Sequence, residues 1–264
     1  MGSATREALA AAVETLDGQA GTPDLATGEQ LLDAGRIIGS SAPLRAALAD
    51  HSADGADKRG IIGALFGTFT PAAQAVLVSA VEGRWSSEDD LLAGIEEVGI
   101  RAVAASAPSD LSIEAELFEF DRAVNSNSQL ELAVGSALGS TDSKTDLVQA
   151  LLGGRASAQT VAIVRQLVQQ PRGRRIGELL RFATRVVADQ AGFSLATVTS
   201  AAPLEPAQIE RLTAGLTAQY GHGLRINEVI DPALLGGVRI QIGDNVIDGS
   251  VATKLNDLRL QLAR

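Results

Sequence analysis

The chain has 264 residues, of which 45% are hydrophobic, so it can form two or three small domains with real cores. Its formal net charge of −10 disfavours general binding to nucleic acid, because an acidic surface repels phosphate groups. The absence of cysteine excludes disulfides, thiolate catalysis and cysteine-ligated zinc.

The start of the chain lacks the apolar core of a signal peptide, and no apolar run approaches the ~20 residues that a membrane span needs. We therefore expect a soluble, cytosolic chain that does not itself enter a membrane. Only 3% of the residues are aromatic, so the cores must consist of Ala, Val, Leu and Ile. This composition favours helix, since alanine has the highest helix propensity.

Turn residues divide the first part of the chain into segments with helical apolar spacing. Pro43 and Pro71 stand where helices begin, because the first turn tolerates proline, and Pro171 separates two helices. The predicted helices span 4–17, 25–38, 43–50, 57–66, 71–82, 87–105, 110–125, 128–138, 143–152, 157–169 and 174–191.

An internal repeat appears when the chain is shifted by 86 residues: Lys58 then falls on Lys144, and Gly67 on Gly153. Apolar positions match as well, which indicates a duplicated helical bundle, whereas chance similarity between alanine-rich helices is the alternative. The segment 87–105 matches the first helix of the chain and can therefore close one bundle and open the next. We predict a first bundle at 1–105, a second at 106–193 and a third domain at 194–264.

The third domain is predicted to have the order β-α-β-β-α, a small helix-on-sheet layer. Val238, Ile240 and Ile242 alternate with polar residues, which is typical of a half-buried strand, and a turn leads to a short partner strand at 246–247. The apolar positions of its two helices are Ile209, Leu212, Leu216 and Tyr220 in the first and Val251, Leu255, Leu258 and Leu262 in the last. The whole chain is thus predicted to be mainly α, with two tandem six-helix-type bundles followed by a small α+β domain.

Residues 231–258 resemble the C-terminal signature of the delta subunits of F-type ATP synthases, called the oligomycin sensitivity-conferring protein in mitochondria. The Asp-Pro start, the paired glycines, the apolar strand and the capped final helix carry the resemblance. Its structural positions are Asp231, Pro232, Gly236, Gly237, Gly243, Asp248, Gly249 and Ser250.

The resemblance implies a non-catalytic connector without metal or cofactor, which ties the b-type subunits of the peripheral stalk to the N-termini of the α subunits in the catalytic head. It places the chain on the cytoplasmic side of a bacterial membrane, as part of an attached complex. Residues from about 88 onward resemble a whole delta subunit, and residues 1–87 an extra bundle. This departure resembles the enlarged delta region of some actinobacteria, which is fused behind a b-type subunit.

The resemblance also implies a groove between the first and fifth helices of a bundle that takes the N-terminal helix of an α subunit, while the final helix contacts the stalk. The alternative is that these side chains face their own core. In the second bundle the groove residues are Ile95, Val98 and Ala102 with Val161, Val164 and Val168. In the first they are Leu9, Val13 and Leu16 with Ala73, Val76 and Leu77, and the stalk contacts are Val251, Leu255 and Leu258.

Motifs for catalysis are weak. His51 and His222 lie in polar or glycine turns without a recognisable nucleophile nearby, and Gly153-Gly154-Arg155 lacks the Lys-Ser/Thr of a phosphate-binding loop. Trp85 either plugs one end of a bundle or contacts a ligand. The runner-up to a stator connector is a helical-repeat adaptor in another complex.

Charged clusters are the remaining candidates for a functional site. The carboxylates at 88–90 suit a helix start, and Glu96-Glu97 forms a second acidic pair. The arginines of one cluster form either a solvated face or a docking patch for an acidic surface of a partner subunit. They are Arg165, Arg172, Arg174, Arg175, Arg181 and Arg185.

Overall fold

The computed structural model describes residues 2–19, 21–135, 140–220, 223–242 and 245–249. The chain divides into two compact units, Met1–Val187 and Ala188–Arg264. The described part of the first unit is helical, and its last helix runs across the boundary. The helices are α1 (Ser3–Asp17), α2 (Leu25–Ser40), α3 (Ala42–Ala49), α4 (Gly55–Phe66), α5 (Pro71–Glu82), α6 (Glu88–Ala105), α7 (Ile113–Ser126), α8 (Ser128–Gly135), α9 (Thr141–Leu152), α10 (Ala158–Gln169) and α11 (Ile176–Gln190).

Side-chain caps explain where several of these helices begin. The Asp24 carboxylate accepts hydrogen bonds from the backbone N–H (2.8 Å) and hydroxyl (2.7 Å) of Thr27 at the start of α2. The Thr27 hydroxyl bond in particular holds the pKa of Asp24 below its usual value. Ser157 caps α10 in the same way, and Pro71 occupies the first position of α5, where no helical N–H partner is needed.

Helix boundaries repeat after 86 residues, as the sequence predicts. Shifting Ala42–Ala49 by 86 gives 128–135, the bounds of α8, and shifting Gly55–Phe66 gives 141–152, the bounds of α9. The same shift places α1 on α6 and α6 on α11. We call α1–α6 the first repeat and α6–α11 the second repeat, so that α6 belongs to both.

Two buried apolar clusters form the core of the helical unit. Helix α6 supplies Ile95 and Val98 to the cluster of the first repeat, and Ile100 and Val103 to that of the second. Leu32 of α2 also joins the second cluster, although α2 belongs to the first repeat. A helix buried on two sides has no broad polar face, and α6 has none.

Trp85 closes one end of the first cluster, as one of the two sequence interpretations predicts. It lies between α5 and α6 with 6% of its surface exposed, and its Nε1 donates a hydrogen bond of 2.7 Å to the carbonyl of Ala80. Its ring packs on Gly94 of α6, where an added Cβ would overlap the indole. Glycine at this position is therefore required by close approach.

The second unit has a four-stranded sheet with one described helix. Its elements are β1 (Phe193–Ser200), α12 (Pro206–Tyr220), β2 (Gly223–Ile230), β3 (Val238–Ile242) and β4 (Asn245–Asp248), in the sheet order β2-β1-β3-β4. Strands β1 and β2 are parallel, joined through α12, whereas β3 runs antiparallel to β1 and to β4. Leu216 of α12 belongs to the same buried apolar cluster as Val198 and Ile240 of the sheet.

The fold class is confirmed: the chain is mainly α, followed by a small α+β unit. The predicted partner strand 246–247 lies within β4. The predicted final helix lies outside the described residues, and so do Gly243, Ser250, Val251, Leu255, Leu258 and Leu262. The division at 105 and 193 stays a prediction, since the chain separates into units after Val187.

The turn before β3 has the geometry that its sequence indicates. The Asp231 carboxylate accepts the backbone N–H of Ala233 at 3.0 Å, which starts the turn at Asp231-Pro232. Gly236 and Gly237 adopt φ of 101° and 80°, values that favour glycine over other residues. After β4, the backbone N–H of Gly249 donates to the carbonyl of Val238 at 2.9 Å.

Candidate partner-docking site

The first candidate surface is the seam between α1 and α5, which we call the first seam. The side chains of Leu9 and Val13 on α1 and of Val78 on α5 pack on the first cluster, yet each keeps part of its surface accessible. The hydroxyls of Thr15 and Ser79 form a hydrogen bond of 3.0 Å across the seam and hold the two helices together. These three apolar side chains form a partly accessible strip along the seam.

The equivalent surface in the second repeat is the seam between α6 and α10, which we call the second seam. Helix α2 packs along α6 there at very short distance. A Cβ added to Gly28 would lie 2.7 Å from the backbone nitrogen of Val103, and one added to Gly99 would lie 2.6 Å from Leu32 Cδ2. Glycines on both helices therefore permit the close packing of α2 on α6.

Hydrogen bonds extend the contact of α2 from α6 to α10. Arg36 Nη1 donates to Gln166 Oε1 at 2.6 Å, and Gln166 Nε2 donates to Gln170 Oε1 at 3.1 Å. Gln170 Nε2 in turn donates to the carbonyl of Gly35 at 3.2 Å. Gln166 has only 1% of its surface exposed, so these bonds satisfy polar groups that water cannot reach. Helix α2 thus contacts both helices of the second seam.

A buried ionic cluster joins α6 to the loop between α10 and α11. Glu96 of α6, which is 2% exposed, accepts hydrogen bonds through Oε2 from Arg172 and from Arg174, the latter at 2.6 Å. Arg172 adopts φ of 47°, an uncommon backbone conformation for a non-glycine residue, and also donates to the carbonyl of Asp89 at 3.3 Å. The Arg174 guanidinium lies 5.6 Å from the centre of the Phe182 ring.

The spaces that remain beside α10 are small and mixed in polarity. One cavity of about 350 Å³ is lined by Gln149, Val161 and Arg165 among others, and a second of about 180 Å³ lies between α2 and α10. Glu29 of α2 and Arg165 of α10 line both. In the described residues no group of histidine and carboxylate side chains could hold a metal ion.

The structure divides the predicted groove residues of the second repeat between two cores. Ile95, Val98 and Ala102 are buried in the first cluster, whereas Val164 and Val168 are buried in the second. Val161 is half-buried and lines the larger cavity. These six residues therefore do not share one open surface.

The groove residues of the first repeat are less scattered. Leu16, Ala73, Val76 and Leu77 are buried in the first cluster, and Leu9 and Val13 lie at its accessible edge. Their partner-binding role stays a prediction. The predicted stalk contacts Val251, Leu255 and Leu258 lie outside the described residues.

Sequence reasoning missed the partnership between Glu96 and the arginine loop. It identified Glu96-Glu97 as an acidic pair and Arg172 and Arg174 as part of a basic cluster, and it did not pair the two. The signal was present, because Glu96 lies on a helix that both repeats share and hence has little access to solvent. Arg175, Arg181 and Arg185 of the same cluster are exposed. Of the predicted arginine cluster, these three therefore remain the candidates for a solvated face or a docking patch.

Comparisons with known proteins identify a family and several relatives that this chain resembles in sequence. The sequence model of the family "ATP synthase delta (OSCP) subunit" matches residues 101–262, which begin inside α6. A protein of Leifsonia xyli, "ATP synthase subunit delta", is 51% identical over 100% of this chain and 100% of its own length. The protein of the same name from Streptomyces coelicolor is 37% identical over 100% of this chain and 98% of its own length.

Among solved structures, a chain of the mitochondrial ATP synthase hexamer of Toxoplasma gondii is similar to this chain with a TM-score of 0.42 and 19% identity. The similarity covers 64% of this chain and 96% of that chain.

Proposed function

Because the chain belongs to the ATP synthase delta (OSCP) subunit family, we propose that it is the stator connector of an F-type ATP synthase. In this role it ties b-type subunits of the peripheral stalk to the N-termini of the α subunits in the catalytic head. It contributes no catalytic group, and it keeps the head from turning with the rotor. Full-length similarity to proteins named ATP synthase subunit delta is the observation that carries this proposal.

The helical unit suits a connector because it offers an accessible apolar seam. Leu9, Val13 and Val78 are the accessible apolar side chains of the first seam. An amphipathic helix binds such a strip through apolar residues spaced along one of its faces. We propose that the N-terminal helix of an α subunit is that ligand.

The expected binding free energies suit a chain that tethers other subunits. Each fully buried apolar anchor contributes roughly 1.5–3 kcal/mol, so contacts with these three side chains give about 5–9 kcal/mol. Association and ordering cost about 4–15 kcal/mol, so a single site binds modestly. Contacts to the head and to the stalk on one chain strengthen each other through effective concentration. Several modest contacts then hold the complex together under load.

The proposed location is the cytoplasmic side of the bacterial membrane, as a peripheral part of the membrane-bound ATP synthase. Among the described helices, none combines the length and the apolar character that a bilayer crossing requires. We assign the attachment to the b-type subunits of the proposed complex.

Affinity capture tests the proposal. The full chain, tagged at either end and expressed in its own bacterium, should recover the α and b subunits of the ATP synthase from detergent-solubilised membranes. The tag alone serves as the control. Recovery of a different set of proteins, with both ATP synthase subunits missing under conditions that keep the complex intact, would favour an adaptor in another complex and would refute the stator role.

A further inference from the structure

The two seams are equivalent by the repeat, but one of them is already covered. Helix α2 packs on α6 through Gly28 and Leu32 and is hydrogen-bonded to α10 through Arg36. On the first seam, by contrast, the outward face of α1 carries the exposed residues Arg6 and Glu14.

The residues that fasten α2 are specific to the second repeat. The shift of 86 places Gln166 on Ala80 and Gln170 on Arg84, so the first seam lacks this pair of amides. It also places Gly99 on Val13, a branched side chain where the second seam has a glycine that admits Leu32. A helix equivalent to α2 is thus accommodated on the second seam by residues that the first seam does not have.

Helix α2 already takes the space over the second seam. It lies within contact distance of α6 at Gly28 and Gly99 and is hydrogen-bonded to α10 through Arg36 and the carbonyl of Gly35. The cavity that remains between α2 and α10 is about 180 Å³, and its lining includes Asp33, Arg36 and Gln169. An outside helix that bound along α6 and α10 would therefore have to displace α2.

We infer that α2 is the built-in occupant of the second seam, and that, of the two seams, the described helices of the first unit leave the first one open to a partner helix. The inference rests on the proposed function for the identity of the partner, an amphipathic α-subunit helix. The duplication then has a physical consequence. Helix α2 of the first repeat covers the second seam, and the first repeat provides the first seam as a docking surface in its place.

Thiol protection tests the occupant without any partner. The chain has no cysteine, so a single Gln166→Cys in the full chain places one thiol beneath α2. The control is Ala11→Cys, an exposed position in the middle of α1, where no helix terminus alters the reactivity of the thiol. With α2 seated, a thiol-specific chromogenic reagent should react at least about tenfold more slowly with the first variant, because only thiolate that reaches solvent reacts. Equal rates in a folded chain would overturn the inference.

Peptide titration tests which seam is free. A synthetic peptide of the α-subunit N-terminus from the same ATP synthase, titrated calorimetrically into the full chain, should bind at about one site per chain. Val13→Asp in the first seam should weaken binding at least about tenfold, the loss expected from one buried apolar anchor. Val161→Asp beside the second seam is the matched control and should change affinity less than about twofold.

The outcomes separate the two claims. The inference would be overturned if two peptides bound per chain. It would also be overturned if Val161→Asp weakened peptide binding while Val13→Asp left the affinity unchanged. Either result would leave the stator role intact. A protected thiol without any peptide binding would retain α2 as the occupant and contradict the proposed α-subunit contact. Circular dichroism of each variant confirms that lost binding does not reflect unfolding.

Discussion

Removing the charge of Glu96 should lower the stability of the helical unit more than any surface change of the same kind. The isosteric variant Glu96→Gln keeps the shape of the side chain but leaves Arg172 and Arg174 without their carboxylate. Breaking a buried ion pair costs about 3–5 kcal/mol. Since the two arginine side chains are 18% and 29% exposed, water recovers part of that cost. We expect a loss of ~2–3 kcal/mol.

In a domain of this size each kcal/mol shifts the melting temperature by about 2–4 °C, so the midpoint should fall by about 4–12 °C. Thermal unfolding followed by far-ultraviolet circular dichroism measures it. The matched control is Glu119→Gln, which removes a solvated ion pair whose side chains are 67% and 58% exposed and should leave the midpoint nearly unchanged. If both variants melt together with the unmodified chain, the cluster does not hold α6 to the loop and the reasoning is wrong.

Three further changes have a defined sign. Gly94→Ala should expel the Trp85 ring from its buried position, because the added Cβ would overlap the indole. Tryptophan fluorescence should then shift to longer wavelength. A spectrum identical to that of the unmodified chain would contradict the packing of Trp85 on Gly94. Burial raises the pKa of the Asp121 carboxyl above its usual value. The contribution of protonated Asp121 to the free energy of unfolding is therefore fully present below about pH 4 and is lost as the pH rises through the raised pKa. Asp121→Asn should therefore raise the free energy of unfolding at pH 7, measured by urea titration. The difference from the unmodified chain should shrink as the pH falls toward 4. A difference that grows on acidification would contradict the prediction. Glu116→Ala should lower the free energy of unfolding by about 1.5–3 kcal/mol, because the Glu116 carboxylate accepts hydrogen bonds from the Ser157 hydroxyl at 2.6 Å and from the Ser157 backbone N–H at 3.0 Å. Unchanged unfolding in urea would show that these two bonds do not contribute to stability.

Local signals in the sequence were sufficient to place the helices. The predicted helix 71–82 has the bounds of α5, because Pro71 can only begin a helix and Gly83 ends it. The predicted 25–38 stops two residues before the end of α2, an error typical of helix ends. The repeat is visible in the sequence because duplicated cores keep both their apolar positions and their spacing.

The candidate site was harder to predict than the fold, because apolar spacing does not say which of two cores a residue faces. Ile95 and Ile100 lie on one helix with similar sequence surroundings, yet each is buried in a different cluster. The same limit applies to Leu32, whose helix belongs to the first repeat by sequence and whose side chain packs in the second core. Contacts between elements far apart in the chain decide these cases, and no local pattern records them.

The shared helix explains how two repeats can transmit force as one body. Domains joined by a linker bend because the linker dihedrals rotate freely, whereas α6 passes through both cores as one hydrogen-bonded helix. Bending between the repeats would have to break that helix or withdraw Ile95 or Val103 from its core. Gln170 and Arg172 add bonds from the second repeat to α2 and α6. A connector that resists the torque of a rotor needs this continuity, which a duplication separated by a loop would not provide.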